Sequence, residues 1–432
     1  MKNILASLAA VAALLFAGGS LAQSYPPPVV SSVGGTDLFQ DIVNGSPQAS
    51  NVYAPFNTMV GSIAALPARG SALIGGDATT NLFVYGTTGA SETTTFSYGG
   101  PNDWAYGSAA DAVTLNQDST AARLPLTGYQ YGFQLQRTAA QATGGLVCMG
   151  QEVESPNVYQ FQSTVAEFDF HVATGANFSG ANNQMSAYII YGTGTNEAIG
   201  KMFYTISSTI GTSSGWAGGA LAASPTIALS TAANGQRVTV LGNVPSTATE
   251  LGVALCWTAP ATAAGTTDSL TFAGVQLVRA PQLLSLVSTS TAYINLATAT
   301  AFDRRNQAQE TLYQERYAYQ LAESGTGGVY QSPAGVAQST TTCAVAIPFP
   351  VTMYKAPTQA NTSVSATTWV INGGDHADQV LATPFAAVAG ANTTSAASVT
   401  FTTGATLTQY WPCMLKSASS PGSGKITWSA NL

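Results

Sequence analysis

What most constrains this chain is a hydrophobic period of two, repeated in short runs with turn residues between them. In GYQYGFQLQR (128–137), Tyr129, Tyr131, Phe133 and Leu135 share one phase, and Gln130, Gln134 and Gln136 the other. A strand turns over at every residue, so such a run buries one face and solvates the other. VAEFDFHVA (165–173) sets Phe168, Phe170 and Val172 against Glu167, Asp169 and His171. In ELGVALCW (250–257) neither phase is polar, which predicts a central strand. SLTFAGVQLVR (269–279) changes phase between Phe272 and Val275, and the slip at Ala273-Gly274 predicts a β-bulge. PNDW, TGAN, YGTGTN and AANGQ supply turns between such runs, so the chain reads as an antiparallel sandwich.

One stretch breaks the pattern. Residues 301–323, AFDRRNQAQETLYQERYAYQLAE, hold seven charged residues in a chain that is only 8% charged. Ala308, Leu312, Tyr313, Tyr317 and Leu321 recur at helical spacing, with Asp303 placed to cap and SGTGG to stop, which predicts a surface helix over about 303–322. Beyond it, CAVAIPFPVTMYKAPT returns to strand-like text, and Pro348 and Pro350 suit an edge strand or bulge.

The expected organisation is a signal-like apolar segment (1–23), an extended arm or docking segment (24–79), a β-sandwich (80–282), a connector carrying the helix (283–335) and a smaller C-terminal β domain (336–432). The leader has Lys2, an apolar run from Ile4 to Ala17 and a Ser20-Leu21-Ala22 cleavage pattern. It reads as a secretory signal with a mature chain starting near Gln23; the other reading is an uncleaved apolar arm.

Thirteen basic residues are scattered over 432 positions at a net charge of −7, so no basic stripe serves a phosphate backbone and nucleic acid is not an expected partner. Low charge with 45% hydrophobic residues suits surfaces buried against other copies or within a larger particle. Cys148 and Cys256 fall in one predicted domain and Cys343 and Cys413 in the other, which permits two intradomain disulfides. Each also lies in an apolar run, where a free thiol behaves as a small buried hydrophobe, and that is the favoured expectation.

NLFVYG (81–86), GPNDWAYGS (100–108), GYQYGFQLQR, GQEVES (150–155), ATGANFSG (173–180), YGTGTNEA (191–198), VPSTATELGVAL (244–255) and LTFAGVQLVR (270–279) occur in this order. Together they resemble a module of tailed-phage and prophage virion proteins described as tail-fibre-like or carbohydrate-binding-like. The resemblance continues through FDRRNQAQETLYQERY and IPFPVTMYKAPT and covers roughly residues 80–432. It implies an all-β chain: a jelly-roll sandwich, a short connector helix and a smaller C-terminal β domain. It further implies a non-enzymatic fibre or spike in a virion, with other virion proteins, a host-surface saccharide and copies of itself, in a trimer, as partners. The alternatives are a capsid-decorating protein that binds only virion subunits and an exported carbohydrate-binding protein of prophage origin.

Chemistry-bearing residues are few. Glu167, Asp169 and His171 share a strand face and are able to hold Ca²⁺ or touch sugar; the blander and favoured reading is a solvated face, and Glu152 and Glu154 read the same way. Asp375, His376 and Asp378 lie in a Gly loop too poor in ligands for a metal site. No catalytic set is expected, and no cofactor is called for. For sugar contact, Trp104 and Tyr106 with Asn102 and Asp103 come first and Trp216 next, although large aromatics are more often core plugs or subunit contacts.

Overall fold

The computed structural model describes residues 71–76, 78, 96–98, 104–119, 129–208, 214–230, 235–280, 292–293, 302, 307–322, 332–362, 369–373, 379–380, 386–387, 392–404, 407–417 and 425–430. The leader, most of the arm, and Asp303 lie outside them. All described strand pairings in the first domain are antiparallel. Its strands are β1 (Phe96–Tyr98), β2 (Ala105–Ser108), β3 (Val113–Asp118), β4 (Gly132–Arg137), β5 (Gly145–Val153), β6 (Thr164–Thr174), β7 (Gln184–Gly192), β8 (Ala220–Ala223), β9 (Thr226–Ala228), β10 (Gln236–Val244), β11 (Glu250–Ala259), β12 (Ser269–Arg279) and β13 (Ala292–Tyr293).

One sheet runs β13-β10-β6-β12-β4-β3, and the facing sheet β1-β2-β5-β11-β7-β8, with β9 also on β7. The inner eight strands therefore stand as β4-β12-β6-β10 over β5-β11-β7-β8, the order of a jelly roll. Phe133, Leu135, Phe168, Phe170, Leu251, Val253, Leu255, Trp257 and Phe272 meet between the sheets, each aromatic or aliphatic side chain contributing on the order of 1.5–3 kcal/mol on burial. Strand β11 lies between β5 and β7, the central position expected for a run with two apolar faces. The phase slip in β12 is a bulge between Ala273 and Gln276. Gly274 sits there at φ +57°, with the Tyr129 ring where a β-carbon would go.

The arm does not end where composition suggested. Leu73 and Ala78 are part of the sandwich core, Ala72 N donates to Leu277 O at 2.8 Å and Val275 N to Gly76 O at 2.8 Å. Residues 71–76 thus line the bulged side of β12. Apolar side chains spaced among Gly and Ala give no period, so only the packing reveals their place.

A short helix, α1 (Ser155–Val158), follows β5. A second, α2 (Ile199–Ile206), lies on the outer face of the second sheet. Met202 and Trp216 approach so closely over Gly252 that a β-carbon there would lie 2.4 Å from Met202 Sδ. Cys148 and Cys256 are directly opposed on β5 and β11 and form a disulfide.

The connector helix, α3, spans Gln307–Glu315 rather than reaching 322. Residues Ala318–Ala322 are strand β14. A spacing of four, as between Tyr317 and Leu321, satisfies a strand as well as a helix, because both return to the same face. Here Tyr319, between them, joins that face and stacks on Trp428 at 6.1 Å. Leu312 and Tyr313 of α3 are exposed, whereas Glu310 and Gln314 are buried, the reverse of the expected faces. Glu310 turns inward because its carboxylate accepts the Gly75 N–H.

The C-terminal domain continues with β15 (Gly335–Ala337), β16 (Thr342–Pro348), β17 (Thr358–Thr362), β18 (Trp369–Gly373), β19 (Gln379–Val380), β20 (Ala386–Ala387), β21 (Ala396–Thr402), β22 (Pro412–Ser417) and β23 (Lys425–Ser429). One sheet runs β19-β18-β22-β15-β16-β21-β20 and the other β14-β23-β17. Trp369, Ile371, Phe401, Leu415, Ile426 and Trp428 form its core. Strand β16 is interior, not an edge: Pro348 is its last residue, opposite Ala396, where a missing N–H interrupts no further ladder. Cys343 and Cys413 form the second disulfide. Both pairs correct the expectation of free thiols; an apolar context suits a bridged cysteine as well as a free one, and only the strand register brings the partners together.

Candidate functional site

The tryptophans and tyrosine expected to meet sugar are inside. Trp104 and Tyr106, flanking and within β2, point into the sandwich core. Trp104 donates its Nε1–H to Ile74 O at 3.2 Å and lies 5.3 Å from the Phe133 ring. Trp216 is buried under α2 with Met202 and Phe203. Rings so placed have no face to offer a saccharide. Asn102 and Asp103, and the Asp375, His376 and Asp378 loop, lie outside the described residues.

The polar phase of β6 is not a solvated face. Glu167, Asp169 and His171 are all buried. Arg237 on β10, opposite His171, reaches diagonally to hold Asp169 through Nε at 3.1 Å to each carboxylate oxygen and through Nη2. Thr239 Oγ1 adds a bond at 3.0 Å and Gln276 Nε2 one at 3.4 Å. Burial pushes the Asp169 carboxyl up, and the Arg237 bonds oppose that rise. Burial, and then the Arg237 charge, pull the His171 imidazole down to about 4. Asp169 is thereby occupied by a protein cation, which takes it out of contention as a calcium ligand.

A second carboxylate group gathers where the two β domains meet. Glu152, in the outward phase of β5 opposite Gly252, is buried with neither carboxylate oxygen hydrogen-bonded. Its carboxyl is raised well above 4.5, first by burial and then by Glu250 and Glu197, with Lys355 opposing. Glu250 accepts the Glu197 N–H at 2.6 Å and is itself raised, chiefly by burial. Glu197 is lowered, chiefly by its bond from Lys201. Two residues along from Glu152, Glu154 takes Arg316 Nε at 2.8 Å and Nη2 at 3.3 Å and the Tyr317 hydroxyl. The Tyr317 and Tyr354 rings stack at 5.9 Å, with the Arg316 guanidinium 5.9 Å over Tyr354. Burial, then Glu154 and Glu152, push the Tyr354 hydroxyl up to about 12. This seam fastens the connector to the sandwich, and the surface role expected of Glu152 and Glu154 is wrong. Among the described residues no group of three or more His, Cys, Asp or Glu is arranged to hold a metal ion.

Sequence reasoning missed a third constellation. Arg137 is wholly buried between Asp111 and Asp268. Its Nε donates to Asp111 Oδ2 at 2.9 Å and Nη1 to Asp268 Oδ2 at 2.8 Å and Ser179 Oγ at 3.1 Å. Nη2 reaches the carbonyls of Gln141, Pro260 and Thr262 at 3.0–3.3 Å. Four loops at one end of the sandwich are tied to a single guanidinium. The signal was present: Arg137 continues the buried phase of Phe133 and Leu135. Its partners, 26 and 131 residues away, were not legible.

No family model and no curated protein matches the chain. Solved structures do. A cyclase from Fischerella sp. in its apo form is 10% identical over 44% of this chain and 90% of its own, at a TM-score of 0.28. The CBM22-1–GH10 modules of a Clostridium thermocellum xylanase, complexed with xylohexaose, are 10% identical over 38% of this chain and 25% of theirs, at 0.22. The mannan-recognising carbohydrate-binding module TmCBM27 is 10% identical over 38% of this chain and 80% of its own, at 0.20. Likenesses this slight carry no argument about function.

Proposed function

We propose that this chain is a non-enzymatic structural component of a tailed-phage particle, a fibre or spike that engages the host surface. The supporting observation is the order of parts. The resemblance drawn from the sequence implies a jelly roll, a short helix and a smaller β domain, and the described fold has the same three in the same order. Fibres gain avidity by presenting weak sites in several copies, so the reading includes a homo-oligomer, a trimer by expectation. Peptide mass spectrometry of purified particles tests it: the chain is expected among the virion proteins, and its absence from particles refutes the reading.

One observation favours a second reading, an exported carbohydrate-binding protein of prophage origin. Two buried disulfides fit an oxidising compartment better than a cytoplasm kept reduced, and the leader has the pattern of a secretory signal. The same experiment separates the two. A chain found only in the periplasm, starting near Gln23, selects export.

A further inference from the structure

The chain has six tryptophans, at positions 104, 216, 257, 369, 411 and 428. Five are 4% exposed or less, and Trp411 is not: it is 48% exposed, beside Tyr410 at 77% and Val336 at 49%. Val336 stands opposite Pro412 in the β15–β22 pairing, so the three side chains share one rim of the C-terminal domain.

Two features distinguish this rim from incidental exposure. Tyr410 has φ +67°, and among the described non-glycine residues with positive φ it is the only aromatic; the others are Ala, Ser or Asn. A bulky side chain in the left-handed region is disfavoured and persists only where its surroundings impose it. They do so here. Tyr410 N donates to Ala337 O at 2.8 Å, Ala337 N to Trp411 O at 3.0 Å, and Trp411 N to Thr408 O at 3.1 Å. Two residues further on, Cys413 is bridged to Cys343. A rigid turn therefore holds two rings outward, which lowers the ordering cost of binding.

The chemistry around the rings selects the occupant. Segments 335–342 and 407–413, GVAQSTTT and LTQYWPC, contain no Asp, Glu, Lys, Arg or His. Recognition there is not ionic. Gln338 and Gln409 are exposed on the same rim, and Gln409 Nε2 donates to Gln338 O at 3.0 Å. Ring faces flanked by amides and hydroxyls match a sugar, whose axial C–H bonds lie against an aromatic face while its hydroxyls seek polar partners at the edge.

We propose that Tyr410 and Trp411, with Val336 and Gln409 beside them, form a stacking platform for a neutral saccharide. This rests on the surface-engagement reading above and gives it a location, on the C-terminal domain rather than on the jelly roll.

Because the other tryptophans are buried, quenching by acrylamide and the red part of the emission report Trp411. The full chain is titrated with cellotetraose, maltotetraose, mannotetraose, galactotetraose and chitotetraose. At least one is expected to shift the emission to the blue and protect it from acrylamide. The Trp411→Ala and Tyr410→Gly variants are expected to bind that sugar at least tenfold more weakly, measured by calorimetry. Tyr410→Gly removes a ring while relieving the left-handed backbone, so its melting temperature should not fall, which separates lost binding from lost fold. Binding retained by both variants overturns the platform while leaving surface engagement intact. No response to any of the five sugars also overturns it, whether or not the chain is found in particles. If Trp411 is already shielded from acrylamide in the free protein and light scattering gives a multiple of the chain mass, the rim is a contact between copies instead.

Discussion

Replacing Arg137 by Met keeps most of the side chain's length and removes the guanidinium. Asp111 and Asp268 are then left wholly buried without their cation, and the carbonyls of Gln141, Pro260 and Thr262 lose a shared donor. Removing one partner of a buried ion pair costs about 3–5 kcal/mol, because an uncompensated charge remains. Two carboxylates are stranded here, but both keep other donors. Asp111 accepts from Thr143 N at 3.1 Å and Gly144 N at 3.2 Å, and Asp268 from Ser179 N at 2.9 Å and Ser179 Oγ at 2.6 Å. Those bonds hold the expected loss to about 4 kcal/mol, a large share of the roughly 5–15 kcal/mol that stabilises an ordinary domain. Urea unfolding followed by circular dichroism measures it as a lower midpoint at an unchanged slope. The triple variant R137M/D111N/D268N removes the stranded charges and is expected to regain about half of the loss. A loss below about 1 kcal/mol in R137M, or an equal loss in the triple variant, would refute an electrostatic clamp and leave only packing.

Four further outcomes follow from the same residues. Glu152 is raised in the folded state above 4.5, so its contribution is complete below that value and is lost as pH climbs through the raised one; E152Q is therefore expected to gain about 1–3 kcal/mol over the parent at pH 8 and to match it near pH 4 in pH-dependent urea unfolding. His171 is depressed to about 4 from 6.5, so its contribution is present above 6.5 and is lost as pH falls through 4; H171F should lose less stability between pH 7 and pH 4 than the parent, and equal losses would remove His171 from the acid response. Arg316→Ala together with Tyr317→Phe opens the seam at Glu154; since Arg316 is partly solvated the pair is expected to cost only about 1–2 kcal/mol, seen as a broadened or split calorimetric transition. Replacing Cys343 and Cys413 by Ser opens a loop of 70 residues, and the chain-entropy argument gives a loss of about 4 kcal/mol in thermal or urea unfolding.

The sequence by itself determined the class of fold and the inward phase of several strands. Alternation identified β4 and β6, the phase slip located the bulge at Ala273–Gln276, and the doubly apolar run of β11 announced a central strand. These are local properties: a strand's two faces are written in adjacent residues. What lay beyond them needed partners distant in the chain. The polar phase of β6 looks solvated until Arg237 on β10 covers Asp169. Tyr317 and Leu321 look helical until β23 pairs with β14. The four cysteines fit free or bridged thiols until the register sets Cys148 against Cys256. The candidate site followed the same rule. Composition pointed to tryptophan and tyrosine, yet which rings face water depends on the side of a sheet or turn each one occupies. Tertiary structure turned Trp104, Tyr106 and Trp216 inward and left Tyr410 and Trp411 outside, because the burial of a side chain is set by what packs over it, and that is rarely its neighbour in sequence.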